Sequence, residues 1–147
     1  SKITSYVFDE DGWYYSGDFC VLDEDGYLNV TGRKKDIIIR GGENVSSVEI
    51  EHILLKHENV KDAAIIGMPD LRLGERICAY VVLKDQAKTI TIDDVKDFFA
   101  RHKAAKCKWP EYLEFVDALP RTASGKIQKY ILREDIRKKI SQRENAK

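Results

Sequence analysis

One lysine stands in a loop of small residues, and its setting suits phosphate chemistry. Residues 120–127 read Pro-Arg-Thr-Ala-Ser-Gly-Lys-Ile, so Lys126 follows three small residues and precedes a basic amphipathic stretch. Small and turn-forming residues predict a flexible arm that carries a mobile cation. A reaction that builds negative charge on phosphate oxygens needs such a cation, because a positioned ammonium group stabilises the developing charge. Lys126 is therefore the candidate catalytic residue.

Two further motifs precede this loop, at residues 15–18 (Tyr-Ser-Gly-Asp) and 32–36 (Gly-Arg-Lys-Lys-Asp). The carboxylate of Asp18 can accept hydrogen bonds from both hydroxyls of a ribose. The planar guanidinium of Arg33 suits a pair of ribose or phosphate oxygens. Each residue also has an ordinary interpretation, since Asp18 could bind its own backbone in a turn and Arg33 could form a surface ion pair.

Together and in this order, the three motifs resemble those of the adenylate-forming superfamily, which includes acyl-CoA synthetases, aryl-acid ligases, luciferases and non-ribosomal adenylation domains. The resemblance covers essentially the whole chain. It implies the mobile C-terminal domain of an AMP-forming ligase at residues 37–147, preceded at residues 1–32 by the end of a large N-terminal domain. The rest of that N-terminal domain, absent from this chain, would be its partner.

The resemblance also implies an activity. The parent enzyme would use ATP and Mg²⁺ to convert a carboxylic acid to an acyl-adenylate, and would then rotate this domain to admit coenzyme A and form the thioester. The stretches at residues 68–76 and 108–111 look most like fatty-acyl and aryl-acid CoA ligases. The phosphate loop and the acyl pocket of such enzymes lie outside this chain, so we expect the fragment to be inactive alone.

Residue roles follow from the same resemblance. Asp18 and Arg33 would bind the ribose of the nucleotide. Lys126 would serve adenylation and then swing away for thioester formation. Arg121 and Lys129, which flank it, are lesser electrostatic candidates.

The hinge and the coenzyme A tunnel are assigned in the same way. The hinge would lie at residues 33–36, with Lys35 as the first choice and Asp36 as the alternative, because hinges are short stretches that absorb large changes in φ and ψ. The tunnel for the pantetheine arm would be lined by a loop of three residues, Gly41, Gly42 and Glu43, of which Gly42 matches the tunnel glycine best. A simple strand–helix turn is the alternative. The family often has proline where this chain has Ser47, which affects the start of the helix.

Composition places the chain among ordinary single-core domains. It has 147 residues, of which 43% are hydrophobic and 34% charged, and no apolar run approaches the roughly 20 residues of a membrane span. Its cysteines, Cys20, Cys78 and Cys107, are odd in number and widely spaced. This pattern favours a reducing compartment, hence the cytoplasm, and argues against zinc. The scattered histidines indicate neither a metal site nor a catalytic triad.

Charge is divided unevenly along the chain. Residues 1–100 carry 12 Lys and Arg against 19 Asp and Glu, whereas residues 101–147 carry 13 against 6. A basic tail can attract nucleic acid, but this one lacks interleaved aromatic residues and any recognition motif. We therefore predict no nucleic-acid partner and interpret the tail as a solvated helix face. Nucleic-acid binding would require steeply salt-dependent retention.

Periodicity predicts an α+β fold, with a small three-stranded sheet and packed helices preceded by a short β-hairpin. The hairpin is expected around the turn at residues 23–26. Strands are expected at residues 37–39, 60–68, 77–83 and 112–116, and a final helix from Ile127. Ser46 with Glu49, and Thr91 with Asp94, have capping-box spacing at the starts of two helices. Glu49 and Glu51 do not face each other on a helix, so they are interpreted as a cap and a surface charge.

Two alternatives to a CoA ligase remain open from the sequence. The first is a stand-alone adenylation protein that loads a carrier protein instead of coenzyme A. The second is a non-catalytic nucleotide-binding module on the same fold, which an altered Lys126 loop would favour.

Overall fold

A computed structural model describes residues 8–145, and the predicted strand content before residue 8 lies outside that range. The predicted hairpin is confirmed: β1 (Asp18–Leu22) pairs antiparallel with β2 (Leu28–Arg33). The carboxylate of Asp23 caps the turn by accepting hydrogen bonds from the backbone N–H groups of Asp25 and Tyr27, at 3.1 and 2.8 Å. An aspartate that bonds its own backbone in this way is a typical turn former.

The predicted α+β class is confirmed, but the predicted strand number is wrong, because the sheet has five strands instead of three. They are β3 (Ile37–Arg40), β4 (Glu43–Ser46), β5 (Val60–Asp70), β6 (Gly74–Leu83) and β7 (Tyr112–Phe115). The order is β4-β3-β6-β5, and β7 pairs in parallel with β6 while the other pairs are antiparallel. A sheet of this width gives helices two faces on which to pack.

Four of the five strands were expected individually, and the missed one is β4, which the sequence interpretation had treated as part of the loop after β3. Gly41 and Gly42 have φ values of +59° and +86°, and they join β3 directly to β4 as a two-residue hairpin loop. Such loops require positive φ at both central residues, which glycine adopts without a steric cost. The chain therefore turns back at Gly41 before it enters the helix.

The described residues also form three α-helices: α1 (Ser47–Leu54), α2 (Ile92–Arg101) and α3 (Lys129–Asn145). The capping box of Thr91 and Asp94 at the start of α2 is confirmed. The one predicted for α1 is wrong, because the N-cap residue Ser46 makes no side-chain capping hydrogen bond. No helix within residues 8–145 is long and apolar enough to cross a membrane.

Both faces of the two long strands, β5 and β6, are buried along most of their length. Along β5, Ala63 and Ile65 join one core with α1 and α2, whereas Ala64 and Ile66 join a second core with α3. The alternation follows from the two-residue period of a strand, which sends successive side chains to opposite faces. The sheet thus fixes α3, and the Lys126 loop that precedes it, on the face opposite to α1 and α2.

Candidate active-site surface

The Lys126 loop is a tight hairpin closed by hydrogen bonds, at the place where the sequence predicted a flexible arm. The N–H of Gly125 donates to the carbonyl of Thr122 at 2.9 Å, and the N–H of Thr122 donates to the carbonyl of Lys126 at 2.9 Å. The Thr122 hydroxyl also accepts from the Lys126 N–H at 3.1 Å. Gly125 supplies the left-handed conformation that closes the turn, with φ of +85°. The exposed lysine is thus presented on an ordered backbone.

Arg121 anchors this hairpin to the sheet. Its guanidinium donates to the Gly125 carbonyl at 2.7 Å and to the carboxylate of Asp62, on β5, at 2.5 Å. Charged hydrogen bonds of this kind are shorter and stronger than neutral ones. Arg121, predicted as a lesser electrostatic candidate, is therefore engaged in holding the loop against β5.

Lys129 is engaged in a similar way at the first residue of α3. Its ammonium group lies 2.7 Å from the carboxylate of Glu51, with side-chain exposures of 10% and 13%. The same ammonium donates to the hydroxyl of Ser47 at 2.9 Å, and Glu51 accepts from the N–H of Ile65 at 2.8 Å. The interpretation of Glu51 as a surface charge is wrong, because its side of α1 faces the sheet and not the solvent. Ser47, which replaces the proline common in the family, is part of this buried contact.

A cleft of about 640 Å³ brings the Lys126 loop next to the predicted hinge. Most of its charged lining is basic, and the residues that matter here are Arg33, Lys35, Asp36, Lys126 and Arg133. The structure therefore gathers, on one surface, side chains that come from β2, from the segment between β2 and β3, and from the loop before α3. Such a basic cleft suits a phosphorylated ligand.

Asp18 and Arg33 lie side by side at the edge of this cleft. They are directly opposite each other in the β1–β2 register, and the Arg33 Nε lies 3.3 Å from an Asp18 carboxylate oxygen. Arg33 itself lines the cleft. The guanidinium and the carboxylate thus offer donors and acceptors next to one another, an arrangement that suits the hydroxyls of a sugar.

The loop of Gly41, Gly42 and Glu43 does not line this cleft. It lies at the far end of β3, four residues beyond the hinge, which corresponds to roughly 13 Å at about 3.3 Å per residue. The Gly41 N–H donates to the Leu73 carbonyl at 2.8 Å. On its other side, a hydrogen bond to Glu43 raises the pKa of the Cys107 thiol. The two sets of predicted site residues therefore occupy opposite ends of one short strand.

A strong ion pair braces the glycine end of β3. The Arg40 guanidinium donates to both carboxylate oxygens of Glu111, at 3.1 and 2.9 Å. Burial favours a higher pKa for Glu111, but the Arg40 hydrogen bonds and the N–H of Ile77 bring that pKa below its usual value. Two parallel bonds to a planar guanidinium restrict orientation as well as distance, so the turn that follows Arg40 starts from a fixed position.

The described residues contain no group of three or more His, Cys, Asp or Glu that could hold a metal ion. Magnesium is usually bound through one or two carboxylates together with substrate phosphates and water, in octahedral geometry.

Comparison with known protein families agrees with the motifs and the geometry. Residues 49–126, which run from α1 to Lys126, match the family model described as AMP-binding enzyme C-terminal domain. This chain belongs to that family. The match ends on the candidate catalytic lysine, and the hinge and the nucleotide motifs precede it.

Named relatives and solved structures of this family are longer than the chain. It is 54% identical over 141 residues to a medium-chain fatty-acid–CoA ligase of Escherichia coli strain K12, which covers 96% of this chain and 25% of the relative. It superposes on the ATP-bound structure of MatB from Rhodopseudomonas palustris with a TM-score of 0.80 at 39% identity, over 91% of this chain and 26% of that one. The TM-score to apo MatB is 0.67, at 40% identity and the same coverage. The chain spans about a quarter of the length of these proteins.

One contact in this AMP-binding C-terminal domain has no counterpart in the sequence interpretation. Arg133, on α3, donates from one nitrogen to the Lys35 carbonyl and to the Asp36 carboxylate, both at 2.9 Å. The residues lie 97 positions apart, so no local pattern could pair them. The only feature of the sequence that is consistent with this contact is the opposite charge of Arg133 and Asp36.

Proposed function

We propose that this chain is the mobile C-terminal domain of an acyl-CoA synthetase. The whole enzyme joins a carboxylic acid to ATP, which gives an acyl-adenylate and pyrophosphate, and then transfers the acyl group to coenzyme A with release of AMP. The observation that carries the proposal is the cleft in which Lys126 lies beside Arg33 and the hinge residues. The cleft holds cations where charge develops on phosphate, next to a segment about which the domain can turn.

In the first half-reaction, a carboxylate oxygen attacks the α-phosphorus of ATP and the bond to pyrophosphate breaks. Negative charge increases on the leaving bridging oxygen and on the non-bridging oxygens. The ammonium group of Lys126 stabilises that charge without forming a covalent bond. Asp18 and Arg33 hold the ribose, which fixes the α-phosphorus relative to the lysine. The ordered backbone of the Lys126 hairpin supports this role, because electrostatic catalysis depends on preorganised charges.

In the second half-reaction, the thiol of coenzyme A attacks the acyl carbonyl carbon and AMP leaves. The loop of Gly41, Gly42 and Glu43 lines the path of the pantetheine arm, where the absence of side chains on two residues leaves room for close backbone approach. Because this loop and the Lys126 cleft lie at opposite ends of β3, one rotation about residues 33–36 exchanges one for the other at the reaction centre. The hinge at Lys35 is part of this proposal.

The comparison structures support an assignment of the present arrangement to adenylation. The TM-score is 0.80 against ATP-bound MatB and 0.67 against apo MatB, at nearly equal identity and equal coverage. Because identity and coverage are nearly equal, the higher score supports an arrangement of the matched segments like that of the ATP-bound enzyme. The arrangement with Lys126 beside Arg33 is the one that adenylation requires.

The partner of this domain is the remainder of its own chain. Large hydrophobic side chains of the hairpin region are exposed here, such as Trp13 at 74% and Tyr27 at 72%, and a larger domain would cover such a surface. ATP, coenzyme A and a carboxylic acid are the proposed substrates, and Mg²⁺ would accompany ATP in the part outside this chain. We further propose a cytoplasmic location, which the free cysteines Cys20, Cys78 and Cys107 support. Among residues 8–145, no contact favours carrier-protein loading or a non-catalytic role.

The test is a product assay with the full-length enzyme. Medium-chain fatty acids are the first substrates to try, because the Escherichia coli relative bears that name. We expect acyl-CoA, AMP and pyrophosphate in equal amounts, and no product from the 147-residue chain alone. Formation of ADP and phosphate, or full activity from the fragment, would contradict the proposal. Acyl transfer only to a pantetheinylated carrier protein would favour the carrier-loading alternative.

A further inference from the structure

The contact between Arg133 and residues 33–36, which connect the hairpin to the sheet, separates this segment into a held part and a free part. The Lys35 carbonyl and the Asp36 carboxylate both accept from Arg133 at 2.9 Å. The Lys35 carbonyl belongs to the peptide unit between Lys35 and Asp36, which is planar and moves as one piece. Arg133 therefore holds this whole peptide unit, together with the Asp36 side chain.

Arg133 is itself fixed to the small domain. Its neighbours Leu132 and Ile136 are buried in the second core, beneath α3. The Tyr80 hydroxyl of β6 donates to the Asp135 carboxylate at 2.6 Å, and the buried Lys129–Glu51 pair ties the start of α3 to α1. Any group that Arg133 holds must therefore move with the sheet and its helices.

The other side of the segment is fixed to the hairpin. The N–H of Lys34 donates to the Gly17 carbonyl at 2.6 Å, and this N–H belongs to the peptide unit between Arg33 and Lys34. Between the two anchored peptide units only four backbone torsions remain, namely φ and ψ of Lys34 and of Lys35. Both lysine side chains are exposed, so packing does not restrict their backbone.

We infer that Arg133 is a positioning residue that confines the domain rotation to the backbone of Lys34 and Lys35, with Asp36 on the moving side. This inference rests on the proposed function, since it presupposes that the domain rotates. It separates the two hinge candidates, because Arg133 holds the Asp36 side chain and the peptide unit that precedes it, whereas φ and ψ of Lys35 lie before that unit. A pivot of two residues gives the rotation defined end points, so that Lys126 and the Gly42 loop each arrive at a reproducible position.

One hydrogen bond distinguishes the two lysines. The N–H of Ile37 donates to the Lys34 carbonyl and closes the short 3-10 turn at Lys34–Asp36. Rotation about the Lys35 torsions breaks this bond, whereas rotation about the Lys34 torsions carries it along unchanged. The turn is thus intact in the present arrangement, and its opening would mark rotation at Lys35.

The test uses the full-length enzyme with spin labels on Glu24→Cys in the hairpin and Glu58→Cys in the small domain, in a background that carries Cys20→Ser and Cys107→Ser. Distances are measured with ATP alone and with AMP plus coenzyme A. The variants are Arg133→Ala and, as a milder disruption of the same contact, Asp36→Asn. Arg137→Ala is the matched control, because that exposed arginine lies one turn further along α3.

Wild type and Arg137→Ala are expected to give one narrow distance in each ligand condition. Arg133→Ala is expected to broaden both distributions, and Asp36→Asn to broaden them less. The rate of thioester formation from acyl-adenylate should fall about 10-fold in Arg133→Ala, since small misplacements of reacting groups are costly. Unchanged distance distributions and rates in both Arg133→Ala and Asp36→Asn would overturn this inference but leave the proposed function standing. A single unchanged distance in the wild type would overturn the domain rotation and this inference with it.

Discussion

Most cations around the candidate cleft have carboxylate partners within the chain. Arg33 pairs with Asp18, Lys129 with Glu51, and Arg133 with Asp36. Within residues 8–145, the ammonium group of Lys126 takes part in none of the ion pairs. The exposed ammonium group of Lys126 can therefore interact with a substrate, whereas the ion pairs of its neighbours determine the shape of the cleft.

Of these ion pairs, the Lys129–Glu51 pair is expected to cost the most folding stability when one partner is removed. Lys129→Met leaves the nearly buried Glu51 carboxylate without its counter-charge, and breaking such a pair costs about 3 kcal/mol or more. Urea unfolding of the 147-residue chain would measure the free energy of unfolding. Lys138→Met, at an exposed position of α3, is the control and should change it by less than about 0.5 kcal/mol. An equal loss of unfolding free energy in Lys129→Met and Lys138→Met would mean that the ion pair does not stabilise the fold.

At the scale of elements, β3 is the central feature. The strand is four residues long, with the hinge at its start and the glycine turn at its end. Arg40 and Glu111 brace the second end, and Arg133 braces the first. A short strand held at both ends transmits a rotation of the hinge directly to the turn.

Gly42→Ala should destabilise the β3–β4 hairpin. Gly42 has φ of +86°, and an L-residue in that conformation costs about 1–2 kcal/mol. The control is Gly32→Ala in β2, where the φ value is not in the left-handed region and an added Cβ would lie 3.7 Å from the Ser46 hydroxyl. Urea unfolding should give a clear loss for Gly42→Ala and a smaller one for Gly32→Ala. The reverse order would contradict the assigned turn.

Local patterns predicted local structure well. The turn at Asp23 and the cap at Thr91 both depend on neighbours within four positions, and the structure confirms them. The Gly41–Gly42 hairpin was missed: a Gly-Gly pair after a strand is a hairpin signal, but the residues that follow it, Glu-Asn-Val-Ser, are mostly polar. The contacts that shape the cleft could not be predicted, because Arg133 and Asp36 lie 97 residues apart and a local pattern does not state which distant segment a polar helix side chain meets.

At the scale of the whole molecule, paired carboxylates should make folding sensitive to acid. Hydrogen bonds from Lys139 and Tyr80 hold the pKa of Asp135 below its usual value despite burial. Burial alone would raise the pKa of Glu111, but hydrogen bonds from Arg40 and from the Ile77 N–H lower it. A folded-state pKa below the unfolded one contributes stability above the unfolded value, and that contribution is lost as pH falls through the folded one.

The free energy of unfolding should therefore decrease as the pH falls below about 4, the usual range of these carboxyl groups. Glu111→Gln removes one titrating group. The free energy of unfolding of this variant should therefore decrease less on acidification than that of the wild type, although it is lower at pH 7. Urea unfolding at several pH values measures both. If the free energy of unfolding decreases by the same amount in both proteins at low pH, Glu111 does not contribute to the acid sensitivity.

The central claim is that Lys126 acts in adenylation and not in thioester formation. The most direct measurement compares the two half-reactions in full-length enzyme that carries Lys126→Ala, with Lys138→Ala as the control. ATP–pyrophosphate exchange should fall about 10²- to 10³-fold, the usual cost of losing one group that stabilises transition-state charge. Thioester formation from coenzyme A and pre-made acyl-adenylate should stay within a few-fold of wild type. Exchange that survives the substitution would contradict the account, and equal loss of both half-reactions would mean that the lysine does not serve adenylation alone.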